Sequence, residues 1–182
     1  MLGNRDVQGP PLIERVIEAG ILAGMVAAVA MGIFAATASA SYLQMGFYTP
    51  MYRIAAVLDP TSMLVSLQEA EAGSPSFYFD LQPLVAGTAM HLAIAGFFGV
   101  VFALLARGLR VRGPAALPAG ILYGLAVMAL MGLVVLPLAA DLLGGGPPIA
   151  DAASIVGWPT FAAEHVLYGL TLGGWTVIRP LP

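Results

Sequence analysis

Three ionisable side chains stand inside otherwise apolar runs: His91 in LVAGTAMHLAIAGFFGVV, and the adjacent pair Glu164 and His165 in GWPTFAAEHVLYGLTLGGWTVI. An imidazole in such surroundings can hydrogen-bond a neighbouring helix, ligate a haem iron or a transition metal through a ring nitrogen, or carry a proton. A carboxyl group beside it can pair with a protonated histidine, join it as a metal ligand, or relay protons. The chain has no cysteine. Disulfides, iron–sulfur clusters, thiolate zinc sites and covalently attached haem are therefore excluded, and any metal or cofactor must use His, Met, carboxylate or backbone groups.

The elements that carry these residues follow from composition. Hydrophobic residues make up 59% of the 182 positions and charged residues only 9%, against about 25% charged in soluble domains. Four runs, at 19–40, 84–106, 115–140 and 157–178, approach the roughly 20 residues that a helix needs to cross the hydrocarbon core. The expectation is an all-α, polytopic membrane protein: one domain over 1–182, a bundle of four transmembrane helices at about 16–41, 83–108, 115–140 and 157–178. ASA at 38–40, preceded by Arg5 and Arg15, resembles the end of a signal peptide. The run before it is long for a signal, however, and it matches the third run residue for residue at several positions.

Arginines set the orientation. Arg5 and Arg15 precede the first helix, Arg107, Arg110 and Arg112 lie in the turn between the second and third, and Arg179 follows the fourth; only Arg53 lies on the other side. By the positive-inside rule both termini are cytoplasmic, and the bias points to the plasma membrane of a prokaryote, the inner membrane where there are two. The outer loop, 42–82, carries Asp59-Pro60, an N-cap signal followed by proline, and so a short interfacial helix at about 60–72. Tyr42, Phe47, Tyr48, Tyr52, Phe77, Tyr78 and Phe79 surround it, the aromatic enrichment of a headgroup-level anchor or of a surface for a partner or quinone-like ligand. DLLGGGPPIAD, at 141–151, reads as a turn region.

AGILAGMVAAVAMG at 19–32 and AGILYGLAVMALMG at 119–132 share register, and the second and fourth runs each place a histidine after a proline, followed by small residues at four-residue spacing. The chain thus reads as two similar helical hairpins. The stripes Gly20, Gly24, Ala28, Gly32 and Gly87, His91, Ala95, Gly99, with their counterparts Gly120, Gly124, Gly132 and His165, Gly169, Gly173, favour close helix packing and turn both histidines into the bundle. Counting about 1.5 Å per residue puts both imidazoles roughly 10 Å below the outer surface, with Gly32 and Gly132 near the same layer.

Three expectations follow for this layer. His91 and His165 are interhelical hydrogen-bond residues; or they are axial ligands of a haem b, with Gly32 and Gly132 leaving room for the porphyrin, an arrangement similar to that of four-helix b-type cytochromes; or His91, His165 and Glu164 bind a transition metal or relay protons. Tyr168, one turn from Glu164, is its expected local partner. A net charge of −3 without lysine leaves no basic face for nucleic acid. Walker loops, dinucleotide fingerprints, GxSxG elbows and HExxH motifs are absent. The expected function is that of a small, non-enzymatic structural or accessory membrane bundle, in contact with lipid and either self-associating or part of a larger membrane complex. The alternatives are a haem- or metal-binding electron-transfer protein and an oligomeric proton- or ion-linked transporter using Glu164.

Overall fold

A computed structural model describes residues 11–73, 77–143 and 145–182, all of them helix, turn or coil with no strand among them. Arg5 lies outside the described residues. Three helices are long and apolar enough to cross a membrane: α1 (Leu12–Ser41), α4 (Leu81–Gly108) and a third over Gly113–Leu143. The last expected span is α9 (Trp158–Ile178), 21 residues long, which packs along α1 and α5 in the same bundle. Its length is sufficient; Glu164 and His165 are what make it less apolar than the other three.

The third long helix is not regular. After a single 3-10 turn at Gly113–Ala115 it runs as α5 (Ala116–Leu130), widens into a π turn at Met131–Val135, and continues as α6 (Leu136–Leu143). Pro137 explains the widening. It has no N–H to give to the carbonyl one turn back, and its ring crowds that carbonyl. The π turn opens the spiral just ahead of it, with the Leu136 N–H reaching back to the Met131 carbonyl.

Glycine holds the inner half of the bundle together. In α1 a side chain at Gly24 would run into the Ala95 carbonyl of α4, and one at Gly99 would strike Gly20 and Gly24. In the second hairpin the same relation joins Gly120 and Gly124 of α5 to Gly169, Gly173 and the His165 carbonyl of α9. Such backbone contact substitutes for the hydrophobic drive that lipid removes. Ala23, Ala27, Ala28, Phe102 and Leu172 complete the buried centre, whereas Val29, Ile33, Phe97, Leu122 and Leu133 are 54–68% exposed on the outside. An apolar surface of this extent suits lipid, not water.

The outer half is built differently. α2 (Thr49–Ala55) lies directly against α4, where a side chain at Gly87 would meet the Met51 carbonyl. α3 (Thr61–Ala72) begins where the Asp59 carboxylate takes hydrogen bonds from the Thr61 N–H, 2.9 Å, and hydroxyl, 2.7 Å. Within DLLGGGPPIAD, 141–151, which reads as a turn from its glycines and prolines, Pro147–Ala150 forms a short helix, α7, and a second, α8 (Ala152–Val156), follows it. The reason is Ile149, which is buried with Tyr52, Ala56, Met63 and Ala140 in a second apolar centre. The loop aromatics pack on one another, Phe47 stacked on Phe77 and Tyr48 edge-to-face against Phe79. α2, α3, α7 and α8 thus form a cap over the end of the bundle away from the arginine-bearing turn at 107–112.

Tyr52 is the pin of this cap. Fully buried, its hydroxyl donates to the Tyr78 carbonyl at 3.0 Å and accepts from the Asp80 N–H at 2.8 Å. Asp80 in turn caps the first turn of α4 and accepts from Ser62 of α3. Tyr52→Phe is expected to lower unfolding stability by about 1–3 kcal/mol, because it leaves two polar backbone groups without their partner; thermal unfolding in detergent reads the change.

Candidate functional site

The two histidines are fixed by backbone carbonyls. His91 donates from Nε2 to the Ala28 carbonyl of α1 at 3.1 Å; a carbonyl only accepts, so the proton sits on Nε2 and Nδ1 keeps its lone pair. His165 donates from Nδ1 to the Phe161 carbonyl at 2.7 Å, which leaves Nε2 as the acceptor. Its ring lies against that of Phe161, centroids 4.4 Å apart. Gly32 borders the His91 ring, where a Cβ would stand in ordinary contact 3.7 Å from Nε2. Both imidazoles line the same cavity.

Gly132 does not join them. Its open side faces the Trp158 indole and the Phe161 ring, one helical turn further out than His165, so the room expected there for a porphyrin edge is filled by aromatic side chains. Nor do His91, His165 and Glu164 converge as a chelating set: among the described residues no three His, Asp or Glu side chains cluster closely enough to hold a metal ion. The expected partnership of Tyr168 with Glu164 is also replaced. The Tyr168 hydroxyl donates instead to the Ala95 carbonyl of α4 at 2.6 Å, tying the two hairpins together because that carbonyl lies within reach across the glycine-lined contact.

Glu164 has a different counterpart. It is 8% exposed, and the charge that acts on it is that of Arg53, brought down from the cap by α2. Arg53 is 9% exposed. Its Nη2 touches only the Met45 sulfur at 3.7 Å, and its Nε has no hydrogen-bond partner among the described residues. Burial pushes the guanidinium below its ordinary pKa and the Glu164 carboxylate pulls it back up; an arginine stays charged throughout. The sequence reading set this residue apart only as the lone outer arginine and gave it no role.

All four groups face one cavity of about 360 Å³. Its other walls are apolar and rich in methionine, with Met31 from α1, Met90 from α4 and Met131 from the π turn. The inner half of the seam between α4 and α5 is closed by Tyr123, whose hydroxyl donates to the Phe98 carbonyl at 2.6 Å and whose ring leans on Phe102. Further out, α6 packs on α7 and the π turn and leaves α4. The cavity occupies the space between them, with Val135 and Ala139 on one wall and His91 and Ile94 on the other. π turns of this kind recur at functional sites.

Family models, curated proteins and solved structures contain no match to this chain. Its own geometry must carry the functional reading.

Proposed function

We propose that this chain is a four-helix, multi-pass membrane protein that binds a small lipophilic molecule and is not an enzyme. α9 is then the fourth span. Several features support this: the antiparallel pairing of α1 with α4 and of α5 with α9 through matched glycines, the contact of Arg107 with the Pro182 carbonyl at the arginine-bearing end, and the lipid-suited exterior. The two hairpins are repeats of one unit, their arginine-bearing end and both termini are cytoplasmic, and the membrane is the prokaryotic plasma membrane.

One observation carries the binding reading: the ionisable side chains within the helical core converge, together with a buried arginine from the cap, on a single cavity in the range of small-molecule sites. A purely structural bundle would close that space, since empty volume forfeits dispersion contacts. The cavity explains the placement of His91, Glu164 and His165 without a porphyrin.

The test is a cavity-filling substitution. Ala139→Phe is expected to retain the folded protein while abolishing uptake of a lipophilic fluorescent probe such as 1-anilinonaphthalene-8-sulfonate or N-phenyl-1-naphthylamine by the purified chain in discs. Equal probe uptake by both proteins would sink the reading. A reduced-minus-oxidised spectrum of the same preparation addresses the electron-transfer alternative: a Soret band that disappears in both His91→Ala and His165→Ala would replace this proposal with haem binding.

A further inference from the structure

We propose that the cavity takes a single-chain lipophilic carboxylic acid whose head group bridges Arg53 and Glu164, an inference that rests on the cavity-binding reading above. Arg53 is buried, yet its Nε has no partner and its Nη2 has only a thioether sulfur, a weak acceptor. A buried donor left unsatisfied in this way is costly, and an acceptor placed against it would recover that cost. Nε and Nη together form the planar fork that matches a carboxyl group. Glu164 is equally buried and makes no hydrogen bond with the described residues. It influences Arg53 from beyond ion-pair contact, so a gap lies between the two.

A group that fills this gap must accept from Arg53 and donate to Glu164. A carboxylic acid does both, its carbonyl oxygen toward the fork and its O–H toward the carboxylate, and it leaves the summed charge of the three groups at zero. An ester has no donor; a phosphate diester adds a negative charge; an amine repels the guanidinium. The ionisable side chains facing Glu164 in the cavity are Arg53 from α2, His91 from α4, and His165 and Tyr168 from α9, while α1, α5 and α6 contribute none. Both imidazoles offer only acceptor nitrogens and Tyr168 spends its hydroxyl on Ala95. Ser39 gives its hydroxyl to the Gly46 carbonyl and Thr49 shares a hydrogen bond with Ser66, so among the cavity's ionisable side chains Arg53 is the donor for the acid's carbonyl.

Size sets the tail. A cavity of about 150 Å³ holds one benzene, so 360 Å³ corresponds in proportion to roughly 14 non-hydrogen atoms, as in dodecanoic acid. Methionines and aliphatic walls accommodate an unbranched chain of that kind.

The experiment measures binding of dodecanoic acid and of methyl dodecanoate to the full chain in phosphatidylcholine discs. The wild type is expected to prefer the acid by at least about tenfold, and Arg53→Met to lose that preference while still taking up the ester. Ester bound as tightly as acid, or a preference that survives Arg53→Met, overturns the inference. If Arg53→Met does not fold, Arg53→Lys replaces it, with a several-fold loss of preference expected and an unchanged preference overturning the fork. Displacement of the acid by phosphatidylglycerol at equal mole fraction would identify the occupant as a membrane lipid and also overturn it. Ala139→Phe separates the two levels: ligands that bind this variant as well as the wild type overturn the cavity reading itself, whereas loss of both ligands from it, with ester and acid equal in the wild type, overturns the acid alone.

Discussion

Gly124→Leu is expected to destabilise the bundle by about 3 kcal/mol or more, the upper range for overpacking, and to shift its unfolding midpoint in a sodium dodecyl sulfate titration accordingly. The new side chain would be driven into the His165 carbonyl and the Gly169 backbone. Neither can move aside as the end of a flexible side chain could, so the two helices must separate. Separation breaks close packing along the whole contact, because each glycine of the stripe depends on the same interaxial distance. Gly24→Leu meets the Ala95 carbonyl and Gly96 in the first hairpin and is expected to match Gly124→Leu in size. Gly108→Leu is the control: a Cβ there meets nothing within 4 Å, and the variant is expected to stay within about 0.5 kcal/mol of wild type. Equal midpoints for all three variants would show that the glycine contacts do not determine the helix pairing.

The second large effect concerns Arg53. Arg53→Met leaves Glu164 buried without a compensating charge, and Glu164→Leu leaves Arg53 in the same condition. Each single variant is expected to lose about 2–4 kcal/mol, because an unpaired buried charge is more harmful than the absent pair. The double variant Arg53→Met with Glu164→Leu is expected to recover most of that, with a coupling energy of roughly 1–3 kcal/mol in the double-mutant cycle. Losses that add without coupling would mean that the two side chains do not sense each other across the cavity. The same cycle repeated with dodecanoic acid present is expected to show a larger stabilisation of the wild type than of either single variant.

Much of the scaffold was legible because it rests on local and periodic signals. Helix-length apolar runs, the Asp59-Pro60 start before α3, and glycines at four-residue spacing report directly on backbone geometry. The site was legible only in part. His91, Glu164 and His165 announce themselves as polar residues in apolar runs, whereas Arg53 sits in a loop sequence where an arginine is unremarkable. Its burial depends on how α2 docks on Gly87, a contact between segments distant in sequence. Gly132 was misplaced by about one turn for a related reason. Counting depth from the ends of apolar runs assumes a regular helix, and the π turn with α6 extends the third helix to Leu143. Tyr168 was paired with its neighbour in sequence because a helical wheel cannot show the Ala95 carbonyl lying opposite.

The π turn at Met131–Val135 bears on how such a site could arise. A π turn holds one residue more than the α turn it replaces and leaves the helix on either side facing as before. Inserting a single codon into a regular ancestor of the third helix would therefore keep every glycine contact of α5 and alter only the wall opposite α4. α1, by contrast, runs uninterrupted from Leu12 to Ser41. Ligand chemistry and helix pairing thus fall on largely different residues in both halves: the glycine stripes hold the helices, whereas Arg53, His91, Glu164 and the π turn shape the cavity wall.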